Sequence, residues 1–469
     1  MPPTNLDPAF LPASVLSADI GAGRLSPVDL VETLLARIRA NDQKLHAFVE
    51  VYADEARLAA EAAEKAIRSG HRIGPLQGIP IVLKDLIEIE GRVTTGGSQV
   101  WCDRRSAYTA TIAKRLIAAG MIVIGKTHTV EFAMGGWGTN QHRGTPWNPW
   151  DIEVSRTPGG SSSGTGVAVA AGFAPWGIAT DTGGSVRLPA SWCGLSGLKT
   201  TIGRVSTYGI LPLSPSLDTP GPMARSVEDA ALLYQAIEGP DPLDPRTLGR
   251  PSGSATPMML RRGVHGLRLA RMPGNERDGV AAEVLSAYDS AINTLARLGA
   301  RIVDVKLPRR LSDYTLLVGR IIGAESYFLV GDLIDDVNLP IDEAVRPRIA
   351  SGRGISARDY LGALGERDEA KQEFADALGD IDALLTPTTT TAAIPLDAVD
   401  QNSTPAHFTR FVNALELCAL AVPDGFTATG LPLSLQVVCR GYDEATALRI
   451  GWAYQQATEW HERHPPGLD

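Results

Sequence analysis

Apolar and polar positions along the chain repeat with two different periods. After Ser26 and Pro27, the stretch VDLVETLLARIRA spaces its apolar residues as a helix does, behind a capping serine and a first-turn proline. Residues 53–69 (ADEARLAAEAAEKAIRS) form a second helical stretch that stops at Gly70. The pattern then changes. IPIVLKDLI (79–87) is strand-like, ATIAKRLIAAG (110–120) is helical, and MIVIGK (121–126) is a strand again. LRLARM, a helix near 279–297 and ARIVDVKL (300–307) continue the alternation, which predicts an α/β fold with helices covering a sheet. Residues 309–380 read as mostly helical, a lid or flank. IDALLTPT (381–388), ALAVPDGF and LPLSLQVV read as late strands, and 443–460 as a closing helix. The Pro- and Gly-rich segment 239–266 reads as a surface excursion between two halves of the sheet. No internal repeat is present, so the expectation is one domain over 1–469, with N-terminal helices at about 14–70.

Composition narrows the class. With 44% hydrophobic and 21% charged residues, the 469-residue chain has ample apolar area for a core. A net charge of −9 argues against a nucleic-acid or anionic-membrane surface. No run of 18 or more apolar residues is present, and the N-terminus lacks the basic and apolar regions of a signal peptide. The four cysteines, Cys102, Cys193, Cys418 and Cys439, lie far apart without a CxxC pair, which fits a reduced cytoplasmic protein with buried thiols.

The most unusual stretch runs from Gly159 to Thr200, where two glycine-flanked serines are separated by a nearly unbroken apolar run. Such a run crosses a core, and glycine lets backbone approach another group closely. Gly183-Gly184-Ser185 precedes VRLPASWCG, a helix start whose free N–H groups favour negative charge. A serine there could attack a carbonyl while those N–H groups hold the oxyanion. A capping serine with two turn glycines is the plainer reading. The nucleophile needs a base, and none of the eight histidines falls in a catalytic setting. Lys84, inside an apolar strand, is the other candidate: burial would make it a neutral amine, whereas a rim lysine with its head in water is the ordinary case. Ser161 leads into a core-like segment rather than a linker, and could pass a proton between Lys84 and Ser185.

In order and spacing, GIPIVLKD, GGSS, ATDTGGS, R-x-P and CGLSGLK resemble the amidase signature family, and YGILPLSPSLDTPGPMARSVEDAALL and PDGFTATGLPLSLQVV extend the match over nearly the whole chain. The resemblance implies a large mixed, twisted sheet covered by helices on both faces, and a Ser–Ser–Lys triad. By it Ser185 is the nucleophile, Lys84 the base and Ser161 the bridging serine, placed in a cis peptide bond. The N–H groups of Thr182, Gly183, Gly184 and Ser185 would form the oxyanion hole, with Asp181, Arg187 and Ser162 in support. No metal or organic cofactor is implied. The chain has Ser163 where many members have glycine.

The function implied is hydrolysis of an amide C–N bond through an acyl-enzyme, on aryl or alkyl amides, with esters or carbamates as further substrates. Gly135, Gly136, Trp137, Trp192, Tyr208, Ile321 and Ile322 are candidates for an apolar pocket, and core packing is the alternative for the large ones. The expected partner is a small-molecule amide, with no nucleic acid or membrane and with room for a homodimer. The rival is the A-type subunit of a tRNA-dependent glutamine amidotransferase, which EFAMG (131–135) and NPWD (148–151) resemble. Leu188 in SVRLP and the run SLDTPGP depart from that branch. A silent binding protein is disfavoured by the intact Lys84, Ser161 and Ser185, and a Cys193 hydrolase has no base placed for it.

Overall fold

The computed structural model describes residues 7–251 and 259–468. Part of the predicted excursion at 239–266, residues 252–258, thus lies outside the described residues. Eleven strands form one sheet: β1 (Phe48–Val51), β2 (Pro80–Lys84), β3 (Ile122–Thr127), β4 (Trp176–Asp181), β5 (Ser196–Lys199), β6 (Thr219–Ala224), β7 (Arg268–Arg271), β8 (Arg301–Val303), β9 (Ala383–Pro387), β10 (Cys418–Phe426) and β11 (Pro432–Cys439). Their order is β1-β3-β2-β4-β6-β5-β10-β11-β9-β7-β8. The sheet is mixed. β2 runs parallel to both β3 and β4, β7 runs parallel to β8 and β9, and the antiparallel β10–β11 pair lies between those groups. Strands β2, β4, β5, β6, β9 and β11 are buried along their whole length, so none shows an inside–outside alternation, and β2 (PIVLK) and β9 (ALLTP) read as short, nearly continuous apolar runs.

Helices cover both faces. A Cβ on Gly197 in β5 would stand 2.6 Å from the Ala190 Cβ of the helix Arg187–Trp192. Ala421 of β10 pairs with Gly197 and shares that face. Its neighbours Leu420 and Val422 project oppositely, against Gly451 of the helix Glu444–Gln455. At the N-terminus, Ser26 caps the helix Pro27–Leu45, its hydroxyl accepting from the Val28 N–H at 3.0 Å. The segment expected to be mostly helical at 309–380 resolves into the helices Tyr314–Asp335, Val345–Ala350 and Ala357–Leu378. No described helix is long and apolar enough to cross a membrane.

Candidate active site

Lys84 ends β2, in the middle of the parallel set, and its side chain is fully buried. The next residue, Asp85, is the nearest acid in sequence, but it is taken. It accepts from Lys126 Nζ at 2.9 Å and from Thr95 through N–H (3.0 Å) and hydroxyl (2.5 Å). Lys84 therefore has no ion-pair partner among the described residues, and its Nζ donates to Ser161 Oγ and Thr180 Oγ1, both at 2.8 Å. Burial pulls its pKa down to about 7, against the weaker opposing pull of Asp218 and Asp181.

Ser161 follows a cis peptide bond from Gly160. The Gly160 N–H donates to Gly136 O at 2.8 Å, the Ser161 carbonyl accepts from Val130 N–H at 3.1 Å, and Ser162 Oγ donates to Thr180 O at 3.3 Å. The last of these bonds ties the serine loop to the strand carrying the second site, and the other two tie it to the stretch from Val130 to Gly136.

That second site begins where β4 ends. Asp181 is fully buried and accepts from Gly184 N–H (2.8 Å), Val186 N–H (3.1 Å), Arg187 Nε (3.0 Å), Arg187 Nη2 (2.9 Å) and Asn413 Nδ2 (2.9 Å). Burial disfavours its charge, but the Arg187 guanidinium and these donors hold the carboxyl well below the usual range. Arg187 is held in turn by Gln436 Oε1 and Asn413 Oδ1, each at 2.7 Å. Asp181 and Arg187 thus brace the turn from beneath, and Gly184 passes through φ +137 where a Cβ would sit 2.4 Å from Thr409 Oγ1.

The bracing changes the expected oxyanion set. The Gly184 N–H is spent on Asp181, whereas the N–H groups of Thr182, Gly183 and Ser185 have no acceptor among the described residues. Ser185 stands on a cleft, its hydroxyl unengaged by any described residue. The structure therefore joins Lys84 to Ser161 directly and leaves Ser185 free toward the cleft.

The cleft holds Met134, Gly135, Gly136, Leu188, Leu213 and Ile322 on its walls, together with Arg348 and Arg410. Of the expected pocket residues, Gly135, Gly136 and Ile322 are present, and four others are not. Trp137 and Trp192 stack on each other (centroids 5.5 Å apart) and donate to Ser403 O and Thr391 O. Tyr208 packs against Tyr108, and Ile321 is in the core, one helix position away from the wall that Ile322 forms. An adjoining chamber shares Ala133, Thr182 and Leu213, and there Asp218 accepts from Thr182 Oγ1 at 2.5 Å. Burial raises Asp218 to about 6. Sequence reasoning missed Thr180, Lys126, Asp218, Asn413, Arg348 and Arg410. A second lysine in a buried strand signals Lys126; the rest carry no local signature. Cys193 is buried, its thiol pushed up by burial and donating to Pro158 O, which removes it as a nucleophile. Cys102, expected to be buried, is half-exposed.

A large mixed sheet with a buried lysine–serine pair beside a glycine turn is the arrangement that the amidase resemblance implies. The chain belongs to the Amidase family, whose model matches residues 29–448. The A subunit of Glutamyl-tRNA(Gln) amidotransferase from Chloroflexus aggregans is 38% identical over 482 residues, covering 97% of this chain and 98% of that protein. Among solved structures, the peptide amidase of Stenotrophomonas maltophilia superposes with TM-score 0.86 at 30% identity, over 98% of each chain. The A subunit of Glutamyl-tRNA(Gln) amidotransferase from Thermotoga maritima does so with TM-score 0.80 at 31% identity, over 96% of each. These relatives overturn one expectation. The sequence suggested a small-molecule enzyme working without nucleic acid and at most as a homodimer, yet the curated relatives are named as subunits of an enzyme that has a tRNA in its name. Net charge is a weak guide on this point, because it describes the chain's own surface and says nothing of an assembly.

Proposed function

We propose that the chain is an A-type amidase subunit, which hydrolyses a carboxamide through an acyl-enzyme on Ser185 and works in an assembly of the amidotransferase kind. The observation that carries the chemistry is the buried Lys84, without a carboxylate partner and hydrogen-bonded to Ser161 at 2.8 Å. A neutral amine there accepts the Ser161 proton as Ser161 takes the proton of Ser185, once the Ser185 hydroxyl turns from the cleft to Ser161. Ser185 Oγ then bonds to the carbonyl carbon, and the oxyanion meets the free N–H groups of Thr182, Gly183 and Ser185. The proton returns through Ser161 to the leaving nitrogen as the C–N bond breaks. Water repeats the sequence on the acyl-Ser185 ester, releasing the acid. Asp181 and Arg187 act by holding the turn.

The assembly reading draws its support from the relatives named as parts of an amidotransferase. A second reading, hydrolysis of free aryl or alkyl amides with esters or carbamates as side substrates, draws on Leu188, Leu213 and Ile322 in the cleft. The test is ammonia release from glutamine and from simple amides, by the chain alone and with co-expressed candidate partner chains, with Ser185→Ala and Lys84→Ala run in parallel. The expected result is release that both substitutions abolish and that a co-purifying partner enhances. Full activity in either variant would refute the chemistry, and failure to co-purify with any partner chain would refute the assembly.

A further inference from the structure

A threonine placed just ahead of a helix ordinarily turns its oxygen to the first free N–H groups of that helix. Thr409 precedes the helix Arg410–Ala414, yet its side chain makes no such bond. The residue is fully buried, and its hydroxyl donates elsewhere, to Gly183 O at 2.7 Å. Four residues on, Asn413 faces the same way. Its Nδ2 donates to Asp181 O at 3.2 Å and to Asp181 Oδ1 at 2.9 Å, and its Oδ1 accepts from Arg187 Nη2 at 2.7 Å. Positions four apart share a helix face, so this short helix meets the glycine turn twice.

The Thr409 contact fastens a particular peptide plane. A trans peptide points its carbonyl and its N–H in opposite directions, and the Gly183–Gly184 peptide is trans. Its N–H end is held by Asp181 Oδ1 at 2.8 Å and its carbonyl end by Thr409. The next plane is fixed through Gly184 O, which accepts from Leu188 N–H at 2.7 Å. The Ser185 N–H belongs to that plane and points away from its carbonyl, with no acceptor among the described residues. Between the two planes Gly184 sits at φ +137, and a Cβ there would stand 2.9 Å from the Thr409 Cβ. Paired glycines have a wide choice of φ and ψ. Held by Asp181 alone, the plane could tilt about its N–H end and swing the flanking N–H groups of Gly183 and Ser185 with it.

Resting on amide hydrolysis at Ser185, we propose that Thr409 is a positioning residue of the oxyanion hole: by holding Gly183 O it keeps the N–H groups of Gly183 and Ser185 aimed at the developing oxyanion. Thr409 is absent from the cleft wall, so it acts through the turn and not on the substrate. Donors aligned in advance favour the charge that grows in the transition state over the neutral carbonyl of the bound substrate. The loss of Thr409 therefore falls on the rate and spares binding.

The experiment compares Thr409→Val, which keeps the shape and removes the hydroxyl, with Thr409→Ser, which keeps the hydroxyl. Neither change removes a helix cap. The probe is 4-nitrophenyl acetate. Ser185 Oγ bonds to its carbonyl carbon while the Ser185 proton passes to Ser161 and Lys84, the bond to 4-nitrophenolate breaks, and water then releases acetate and restores the Ser185 hydroxyl. Ser185→Ala supplies the background rate. Thr409→Val should lower kcat about three- to tenfold, the worth of one neutral hydrogen bond, with KM unchanged. Phenylboronic acid adds to Ser185 Oγ and sets an oxygen where the oxyanion forms, so its inhibition should weaken by a like factor. Thr409→Ser should recover most of both. Thr409→Ala, read in the same way, takes the place of Thr409→Val should that variant not fold. Wild-type rates without the hydroxyl, a loss confined to KM, or a serine variant as slow as the valine one would each overturn the positioning role. Release by Ser185→Ala as fast as by the wild type would instead refute hydrolysis at Ser185.

Discussion

A lysine enclosed between parallel strands keeps its proton when an acid stands beside it, and Asp85 is turned toward Lys126 instead. Lys84 is left with two hydroxyls, which suit the neutral amine as well as the cation. Its pKa is lowered to about 7, so the basic form fills as pH rises. With a fixed amide, kcat/KM should climb about tenfold per pH unit below that value and level off above it; a profile flat from pH 5 to 8 would exclude Lys84 as the base. At this scale the sequence was a good guide where a motif ties residue to backbone, as with Lys84 in GIPIVLKD or Asp181 in ATDTGGS. It was a poor guide for side-chain direction. Trp137 and Trp192 sit beside the motifs, yet stack on each other, because an aromatic ring near a site in sequence is free to pack away from it. Gly184 likewise has an N–H in the right turn, already spent on Asp181.

The longer strands and helices were legible because their periods differ, while boundaries moved where strand runs continued into loops and where the closing helix expected over 443–460 stops at Gln455. IPIVLKDLI pairs as β2 only up to Lys84, after which the chain turns and Asp85 points elsewhere. What the pattern left unread is which elements meet. The helix Tyr314–Asp335 supplies Ile322 to the cleft, and it is tied to the opposite wall by Glu325, which accepts from Ser214 Oγ (2.5 Å), Ser216 N–H (3.1 Å) and Tyr360 OH (2.6 Å). This single carboxylate joins two helices to the loop that carries Leu213. Glu325→Gln should loosen that junction, seen as faster amide exchange over 211–218, with KM rising more than kcat falls. Unchanged exchange there would show that the walls are held by packing alone.

Across the whole molecule the sheet gathers charges that a smaller protein would leave in water. Asp424 lies in β10 where its register with β11 shifts between Pro423 and Gly425; its Oδ1 has no hydrogen-bond partner among the described residues, and burial raises its pKa to about 8. The sign follows from linkage: the folded state binds this proton more tightly than the unfolded chain, so the residue costs stability increasingly as pH rises from about 4 through 8. Asp424→Asn should therefore raise the Tm at pH 8 and give progressively less at pH 5, and thermal unfolding at the two values checks it. An equal gap at both would mean that the carboxylate is already neutralised by some other means.

The parallel neighbours β2 and β4 also set how the cleft is shared along the chain. The residues proposed as base, bridge and nucleophile all lie between Lys84 and Ser185, a stretch that also gives Met134, Gly135 and Gly136 to the cleft wall, while Leu213, Ile322, Arg348 and Arg410 come from stretches that follow. Exchanging the later stretches would therefore remodel one side of the cleft while leaving the Lys84–Ser161 pair and the wall at Met134–Gly136 in place.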